Sequence, residues 1–517
     1  MLKKKFLIGF LAVAISIAVL VGGTLLLLAD NTLKNAGKNC DTIKINATLE
    51  KTIDGWQLRA RQSIEYKNRT AQPMNEIKFH IYANAYKENA KNPPVEKHDE
   101  PTAYPNGKSF GGIHVTNVKN NGLVGAGLGF SVDGDDDTTL IVPLNATLNP
   151  NKKVTVDMEY LVKIANIKHR LGWTDDAVNV ANFYPVPCMH DTHQSIWHEY
   201  PYSANGDPFY NAVHNFDVTI TAPADLTLAH SGSVVKSTEK SGMIRKTIKS
   251  TSIRDFAMVF SSKFQSVSKR FKGAVINYFY LNDDNPVASL DVAVKSVETF
   301  SNLFVKYPYK QLSVVQTDFL HGGMEYGELV YISRDLLKTK DGTPADVTAR
   351  SEHAYVIVHE IAHQWWYGMV GNNQNSTAWI DEGLAEYSTM LFFDRNPEFN
   401  LTRQMSIDNA KRNYSAYVKL VREIGAKLDT NMNRDLDEFN TSFEYVYMTY
   451  IRGFLLFCDL ESILTHDKLI NALSAYARDT MFEIASQETL VAAIEKHTGT
   501  RVTLFFSSYL KGWDGFK

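Results

Sequence analysis

Two histidines and a glutamate in one short apolar segment are the residues of this sequence best suited to chemistry. His359, Glu360 and His363 lie in the segment Val-Ile-Val-His-Glu-Ile-Ala-His-Gln-Trp-Trp, whose apolar residues and lack of proline and glycine are typical of a helix. Residues four positions apart on a helix project from one face, so both imidazoles can bind a single Zn²⁺ ion. Glu360 directly follows the first histidine and can take a proton from water at the open position of that ion.

A downstream glutamate supplies the third ligand of this predicted site. Eighteen residues separate His363 from Glu382, which opens a second helical segment. Two histidines and one glutamate leave a fourth position for water, which is the arrangement of catalytic rather than structural zinc sites. We therefore expect one Zn²⁺ per chain, held by His359, His363 and Glu382; a helix with two packed histidines is the alternative. Glu386, one turn after Glu382, is either a hydrogen-bond acceptor for a ligand histidine or an ordinary exposed carboxylate.

The elements that must position these residues fall into two halves. In the first half apolar and polar residues alternate, which predicts strands with one exposed face at residues 56–67, 77–81, 154–160 and 216–220. From Asn285 to Tyr307 the apolar spacing is helical, a short strand follows at Gln311–Thr317, and most of the remainder is predicted to be helical. We predict an α+β multidomain protein with an antiparallel β-sandwich-like domain at residues 42–268, an α/β domain at 269–465 and carboxyl-terminal helices at 466–517.

The composition excludes several classes of protein. A length of 517 residues with 44% hydrophobic and 21% charged residues indicates several globular domains and argues against a mostly disordered chain. The net charge of −3 does not suggest a nucleic-acid partner. Three cysteines exclude a scaffold built from disulfides, although a bridge between Cys40 and Cys188 stays open.

The amino terminus is predicted to cross a membrane. Residues 6–29 contain no charged side chain, and as a helix they would extend over roughly 36 Å, enough for a hydrocarbon core of about 30 Å. The lysines at positions 3–5 favour a cytoplasmic amino terminus with the rest of the chain outside. We predict a cytoplasmic tip and transmembrane signal-anchor at residues 1–30, a stalk at 31–41 and a single-pass location in the cell membrane. A signal peptide cleaved near Ala29, giving a secreted protein, is the alternative.

The sequence resembles the gluzincin peptidases of the aminopeptidase N type over about residues 42–465. The zinc motif, followed after eighteen residues by glutamate, is one shared motif. Another is His321-Gly-Gly-Met-Glu-Tyr326, which is similar to the Gly-Ala-Met-Glu-Asn signature that lies on a sheet edge in that family. A third is Tyr450 followed two residues later by Arg452-Gly453, where the family has Lys-Gly. The resemblance implies that residues 269–465 adopt a thermolysin-like zinc peptidase fold.

The resemblance also implies roles for individual residues. The zinc ligands and the general base are those named above, and Tyr450 would hydrogen-bond the oxyanion of the tetrahedral intermediate. Glu325 would bind the free α-amino group of the substrate, while the backbone at Gly322, Gly323 and Met324 would line the peptide. From the residues alone, the alternatives are an aromatic of a helix core for Tyr450 and a loop carboxylate for Glu325. The family's β domain contributes a wall of the first substrate pocket, which we expect from the Pro-, Tyr- and Trp-rich residues 184–210.

Departures from the family's pattern bear on specificity. Gly323 and Tyr326 replace the usual Ala and Asn, which suggests a differently shaped substrate edge. Arg452 replaces Lys, which keeps the charge and changes its geometry. Only 64 residues follow Gly453, whereas many relatives continue into a large helical domain that closes over the site. We therefore expect a more open cleft and less strict exopeptidase action.

Two other clusters of potential ligands are not predicted to be sites. The acidic residues 133–137 are similar to a calcium loop, but Thr138 and Leu144 stand where such a loop needs Gly and Glu, so a hairpin turn is predicted. The second cluster is predicted to be a structured loop rather than a second metal site, and it contains Cys188, His190, His193 and His198.

These motifs predict a membrane-anchored zinc metallopeptidase, a hydrolase that removes amino-terminal residues from extracytoplasmic peptides by attack of zinc-activated water. Its predicted partners are peptides with a free amino terminus and the membrane, with no nucleic acid, and the sequence does not indicate an oligomeric state. A zinc endopeptidase with an open cleft is the alternative if Glu325 points away from the substrate. A non-catalytic binding or scaffold protein on a peptidase fold is a further alternative, and Glu360 argues against it because a binding module needs no base.

Overall fold

The computed structural model describes residues 33–121, 129–191, 195–337 and 346–512. The segment at residues 6–29 that is predicted to cross a membrane lies outside them. Within the described ranges, no helix combines the length and apolar character that a membrane-spanning segment needs.

Strands dominate the chain up to Tyr280, as the alternating pattern predicts. In the strand Gly55–Lys67, for example, Leu58 and Ile64 are buried while Arg59 is exposed. The strands are, in chain order, β1 (Asp41–Thr52), β2 (Gly55–Lys67), β3 (Met74–His80), β4 (Gly112–Asn121), β5 (Ser131–Asp133), β6 (Thr139–Leu148), β7 (Lys153–Ile164), β8 (Leu171–Trp173), β9 (Val178–Val180), β10 (Val186–Pro187), β11 (His214–Pro223), β12 (Thr227–His230), β13 (Ser233–Lys240), β14 (Met243–Ile253), β15 (Met258–Ser261), β16 (Gln265–Phe271), β17 (Ala274–Tyr280), β18 (Gln311–Thr317), β19 (Gly323–Met324) and β20 (Leu329–Ser333).

Three sheets form the amino-terminal half of the described chain. The largest has the strand order β13-β14-β11-β1-β2-β7-β4, and the two smaller ones have the orders β10-β3-β6-β5 and β12-β15-β9-β8. Neighbouring strands run antiparallel apart from β1 and β11, which run parallel, so the predicted antiparallel character holds for all but one pair. Asp133 pairs with Thr139 in the β5–β6 hairpin, which confirms the turn predicted for residues 133–137.

A fourth, mixed sheet carries the second half, with the strand order β16-β17-β18-β20-β19. Its central strands β17, β18 and β20 run parallel, and β18 covers the predicted residues Gln311–Thr317 and is buried along its whole length. The predicted domain boundary at residue 268 falls inside β16, which pairs with β17 from Gln265 onward. A period-two pattern identifies a strand but not the sheet that the strand joins.

Helices follow from Pro286, and their first residues are capped as the sequence suggests. Asn285 and Asp346 accept hydrogen bonds from the backbone N–H groups of Ala288 and Ala349, three residues downstream. The helices are α1 (residues 33–39), α2 (Glu100–Ala103), α3 (Pro286–Leu303), α4 (Val347–Ala362), α5 (Gln374–Thr377), α6 (Trp379–Arg395), α7 (Arg403–Glu423), α8 (Ser442–Val446), α9 (Arg452–Leu464), α10 (His466–Asp479), α11 (Gln487–Thr498) and α12 (Thr503–Leu510).

Two glycines meet where α6 crosses α9. A Cβ added to Gly383 would lie 2.9 Å from the Cα of Gly453, and a Cβ added to Gly453 would lie 2.9 Å from the Cα of Gly383. No L side chain fits in that space, so the two helix backbones are in direct contact. Because Glu382 precedes the first glycine and Tyr450 lies just before α9, this contact sets how closely those two residues approach.

The three cysteines are free thiols, so the bridge left open between Cys40 and Cys188 is not formed. Within the described part of the chain, Cys188, His190 and His198 do not form a group of potential metal ligands, and His193 of the same predicted loop lies outside the described residues.

Candidate active site

The three predicted zinc ligands converge on one point. His359 lies in the last turn of α4, His363 directly follows that helix, and Glu382 lies in the first turn of α6. The Nε2 atoms of the two histidines are 3.1 Å apart, and Glu382 Oε2 lies 3.3 Å from His359 Nε2 and 3.2 Å from His363 Nε2. Ligand atoms about 2.0–2.2 Å from a tetrahedral zinc ion are about 3.3 Å from one another. The triad therefore fits one Zn²⁺ ion.

The charges of the triad also call for a cation. Burial would lower the pKa of His363, but the Glu382 carboxylate overrides this effect and raises that pKa to about 10. Burial would raise the pKa of Glu382, but the two histidines lower it to about 2. Glu382 Oε2 has no hydrogen-bond donor of suitable geometry among the described residues. A buried carboxylate facing two imidazole nitrogens is stable when a positive charge sits between them, and a divalent metal ion supplies that charge.

Glu360 lies on α4, and its buried carboxylate packs against the edge strand β19. Burial raises the pKa of its carboxyl to about 7, with the two histidines opposing the rise. A general base with a pKa near the working pH is efficient because it both accepts and returns protons. The carboxylate lies so close to Gly323 that a Cβ there would overlap it. A side chain at this position would therefore require the carboxylate to move.

We expect Gly323→Ala to lower kcat by about 10²-fold, because the added methyl group overlaps the Glu360 carboxylate and displaces it by about 1 Å. Steady-state kinetics on protein of known zinc content would measure the loss. Gly322→Ala is the matched control, since its Cβ meets Val356 at no less than 3.4 Å, and its effect should be much smaller. Equal losses in the two variants would show that backbone stiffening, not the overlap with Glu360, is responsible.

Glu386 lies beside a ligand histidine rather than on an exposed face. One carboxylate oxygen is 3.1 Å from His359 Nδ1, and the other accepts a hydrogen bond from the hydroxyl of Tyr355 on α4. A carboxylate at the far nitrogen of a ligand imidazole fixes the ring's orientation and makes the ligating nitrogen more basic.

Glu386→Gln should weaken zinc binding about 10- to 100-fold, since the amide carries no charge to support the His359 ring. Competition with a chelating dye would give the affinity. Asp394→Asn, at the other end of α6 beside Arg403, serves as the control and should leave the zinc affinity unchanged. An unchanged affinity in Glu386→Gln would mean that packing alone orients the ring.

Tyr450 approaches the triad from the opposite side. It lies in the π-helical turn Tyr447–Ile451, a distortion that is frequent at functional sites. Its hydroxyl donates to Glu382 Oε1 at 2.6 Å, and its ring stacks on that of His359 with centroids 5.9 Å apart. The structure therefore places a hydroxyl donor at the edge of the metal site, where a reacting carbonyl oxygen would lie.

Glu325 follows the edge strand β19 and is buried beside the triad. Its carboxylate oxygen accepts a hydrogen bond of 3.0 Å from Gln374 Nε2. Ligand atoms of Glu325, His363 and Asp381 all lie within 4.8 Å of one another. Burial, followed by the charge of Asp207, raises the pKa of Glu325 well above its usual range. A cationic group of a ligand would stabilise the buried carboxylates of Glu325 and Asp381, because it would compensate their negative charge.

The remaining residues of the glycine-rich motif have different surroundings. The carbonyl of Gly322 accepts a hydrogen bond from the backbone of Ser333, and Gly323 is partly exposed. The Met324 side chain is buried, with its sulfur 3.3 Å from Arg170 Nε. Tyr326 is buried as well, and its hydroxyl donates to Asn182. Of these residues, the two glycines are the ones placed to line a peptide, whereas Tyr326 packs against the β-rich half.

Arg452 does not face the site. Its guanidinium donates to the backbone carbonyls of Thr430 and, at 2.9 Å, Tyr509, and it lies over the ring of Tyr509. The planar fork of arginine suits this pair of acceptors better than a lysine would. Arg452 therefore connects α9 with α12 through its contacts with Tyr509.

One buried ion pair beside the glycine-rich motif was not identified from the sequence. Asp207, from the aromatic-rich residues 184–210, forms this pair with Arg170. Burial raises the pKa of Asp207 against the effect of Arg170. Arg170 Nε also lies 3.3 Å from the sulfur of Met324, next to Glu325, so the pair joins the β-rich half to the glycine-rich motif. Asp207 lies in a loop without periodicity, so no local pattern marks it.

Comparisons with known proteins agree with this geometry. Residues 288–509 match the peptidase family M1 domain. Aminopeptidase M1-A of Oryza sativa subsp. japonica is 28% identical over 228 residues, 43% of this chain and 25% of that protein. Puromycin-sensitive aminopeptidase of Caenorhabditis elegans is 23% identical over 394 residues, 72% of this chain and 39% of that protein. The chain thus spans about a quarter to two fifths of the length of these curated relatives.

A solved structure shares the fold over nearly the whole chain. It is a mutant of an M1 zinc metallopeptidase from Deinococcus radiodurans, with a TM-score of 0.62 and 14% sequence identity. The superposition covers 92% of this chain and 96% of that one. The fold described above, β sheets followed by a mixed sheet and helices, is therefore also that of this solved structure.

Proposed function

We propose that this protein is a zinc aminopeptidase, a hydrolase that removes amino-terminal residues from peptides, since residues 288–509 match the peptidase family M1 domain. The observation that carries the proposal is the position of Glu325. Its carboxylate lies with His363 and Asp381 in one cluster of ligand atoms no more than 4.8 Å across. A fixed carboxylate so near the reacting centre selects substrates that bring a cationic amino terminus.

Each group of the site has a task in peptide hydrolysis. When held by His359, His363 and Glu382, Zn²⁺ supplies Lewis-acid polarisation of the scissile carbonyl and acidifies water. Glu360 removes one proton from the attacking water, whose oxygen bonds to the carbonyl carbon. The same carboxyl then delivers that proton to the leaving nitrogen as the carbon–nitrogen bond breaks. The proton count therefore balances without any other acid.

Two further side chains orient the substrate. The Tyr450 hydroxyl, which donates to Glu382 Oε1 in this structure, turns to the carbonyl oxygen as negative charge develops there. Glu325 holds the α-ammonium group, so that the first peptide bond lies at the triad.

The experiment that tests this proposal compares one peptide with a free and with an acetylated amino terminus, with and without a zinc chelator. We expect cleavage after the first residue of the free peptide, little cleavage of the acetylated one, and loss of both with chelator. Equal cleavage rates for the free and the acetylated peptide would contradict the aminopeptidase assignment and favour an endopeptidase. Absence of hydrolysis by the zinc-loaded protein on a broad peptide panel would favour the scaffold alternative.

We also propose that the protein is anchored in the cell membrane through residues 6–29, with its catalytic domain outside the cytoplasm. The uncharged length of that segment and the three lysines before it support this arrangement. Alkaline extraction of membranes, together with the mass of the mature amino terminus, would test it. Release of the protein into the soluble fraction, with a chain beginning near residue 30, would establish a cleaved signal peptide instead.

A further inference from the structure

Gln374 lies between two buried carboxylates at the inner end of the site. Its Nε2 donates to Glu325 Oε1 at 3.0 Å and to Asp381 Oδ2 at 2.8 Å. The residue belongs to the short helix α5 and is 1% exposed. An amide NH₂ group has two hydrogens, so these two contacts use its whole donor capacity.

In this orientation the amide nitrogen faces both carboxyl groups, and the reverse orientation would set the amide oxygen against two acceptors whenever both groups are ionised. The oxygen Oε1 takes no part in these two hydrogen bonds, and it is a buried acceptor with no donor among the described residues. Buried carbonyl oxygens in proteins almost always have a partner, so a donor from outside the chain, a ligand or a water molecule, is expected at this oxygen.

We propose that Gln374 Oε1 accepts a hydrogen bond from the α-ammonium group of the substrate, as a second acceptor beside the Glu325 carboxylate. The inference rests on the proposed aminopeptidase function and adds a specificity-determining residue to it. Nothing in the zinc motif or the glycine-rich motif marks this position.

The spacing of the two acceptors suits an ammonium group. Amide C=O and C–N bonds of about 1.23 and 1.33 Å place the oxygen about 2.2 Å from the nitrogen. Because Glu325 Oε1 lies 3.0 Å from that nitrogen, the two acceptors are at most about 5.2 Å apart. An ammonium nitrogen with tetrahedral N–H bonds, about 2.8 Å from each acceptor, suits oxygens about 4.6 Å apart, which lies within this limit.

The two acceptors would recognise different properties of the amino terminus. Glu325 attracts the positive charge of the amino terminus, whereas Gln374 accepts a hydrogen bond and therefore requires a second N–H group. A primary or monomethylated amino terminus carries at least two N–H groups when protonated, and a dimethylated one keeps the charge but has a single N–H. Two acceptors predict a sharp fall in binding at the second methyl group, and a single carboxylate predicts a gradual one.

The test measures kcat/KM of the full-length zinc enzyme on one peptide with an unmodified, monomethylated or dimethylated amino terminus. For the unaltered protein we expect a fall of about tenfold or more between the monomethyl and dimethyl forms, and a much smaller change between the unmodified and monomethyl forms. Gln374→Met, of similar shape, should reduce kcat/KM on the unmodified peptide about tenfold, chiefly through KM, and should abolish the step at the second methyl group.

Asn375→Ala is the matched control, since this buried neighbour on α5 contacts Asp435 and not Glu325. The Asn375→Ala protein should still show the fall in kcat/KM between the monomethylated and the dimethylated peptide. Titration calorimetry of the same peptides in the Glu360→Gln background gives a second readout that does not depend on turnover.

A gradual decline of kcat/KM across the three peptides in the unaltered protein would overturn the inference, even if Gln374→Met does not fold. If folded Gln374→Met shows the same fall in kcat/KM between the monomethylated and dimethylated peptides as the unaltered protein, the inference is overturned as well. These outcomes are distinguishable from failure of the aminopeptidase proposal, in which acetylated and free peptides would be cleaved at equal rates.

Discussion

Glu360→Gln is expected to lower kcat by about 10²- to 10⁴-fold while the protein keeps its zinc. Glutamine has the volume of glutamate and fits the same space against Gly323, but its amide neither accepts the proton of the attacking water nor returns it to the leaving nitrogen. Glu360 is not a member of the ligand triad, so the three metal ligands stay in place. The substrate affinity should change little, because the base acts in the chemical step.

Kinetics and metal content must be measured on the same preparation of this variant. Glu352→Gln is a suitable control, because Glu352 lies on the same helix α4 and is exposed. It should retain full activity and full zinc content. Undiminished kcat in Glu360→Gln would refute the mechanism, and loss of zinc along with activity would place Glu360 in the metal site instead.

His363→Ala is expected to reduce bound zinc from one ion per chain to nearly none after dialysis, with activity falling to the background level. Two of three ligand atoms remain, and Glu382 is left as a buried carboxylate facing one imidazole instead of two. Because a metal that binds the folded protein raises its stability, added Zn²⁺ should increase the Tm of the unaltered protein and not that of the variant.

A second buried histidine of the same helix provides the control for this experiment. His353 lies ten positions earlier on α4 and contacts the Tyr278 hydroxyl, away from the triad. His353→Asn should keep one zinc ion and the zinc-dependent increase in Tm, even if the protein is less stable. A full complement of zinc in His363→Ala would show that the metal is held by other groups, such as Glu325 with Asp381.

The metal site was predictable because its geometry is local. The spacing of His359 and His363 decides that their rings share a face, and Glu382 was identified from its position eighteen residues downstream, at the start of a second helical segment. The match of residues 288–509 to the peptidase family M1 domain agrees with the predicted family. The strand and helix patterns were also correct where the periodicity was strong, as in β2, β18 and α3.

Groups brought together by distant parts of the chain were not predictable. Asp207 is linked to the glycine-rich motif through its partner Arg170, which contacts Met324, and Gln374 contacts residues on two different elements. The predicted domain boundary at residue 268 falls inside β16, which pairs with β17 in the fourth sheet. Sequence periodicity reports which face of an element is buried, but it carries no information on which element provides the covering surface.

The contact between Gly383 and Gly453 makes the distance from Tyr450 to Glu382 a property of the backbone. In most sites, a substitution that pushes two helices apart can be offset by a smaller side chain on the partner. Here both partners are already the smallest residue, so neither can compensate for a change in the other. During divergence of such enzymes, the two positions would have to be retained together or lost together, and with them the reach of the tyrosine hydroxyl to the metal-ligating carboxylate.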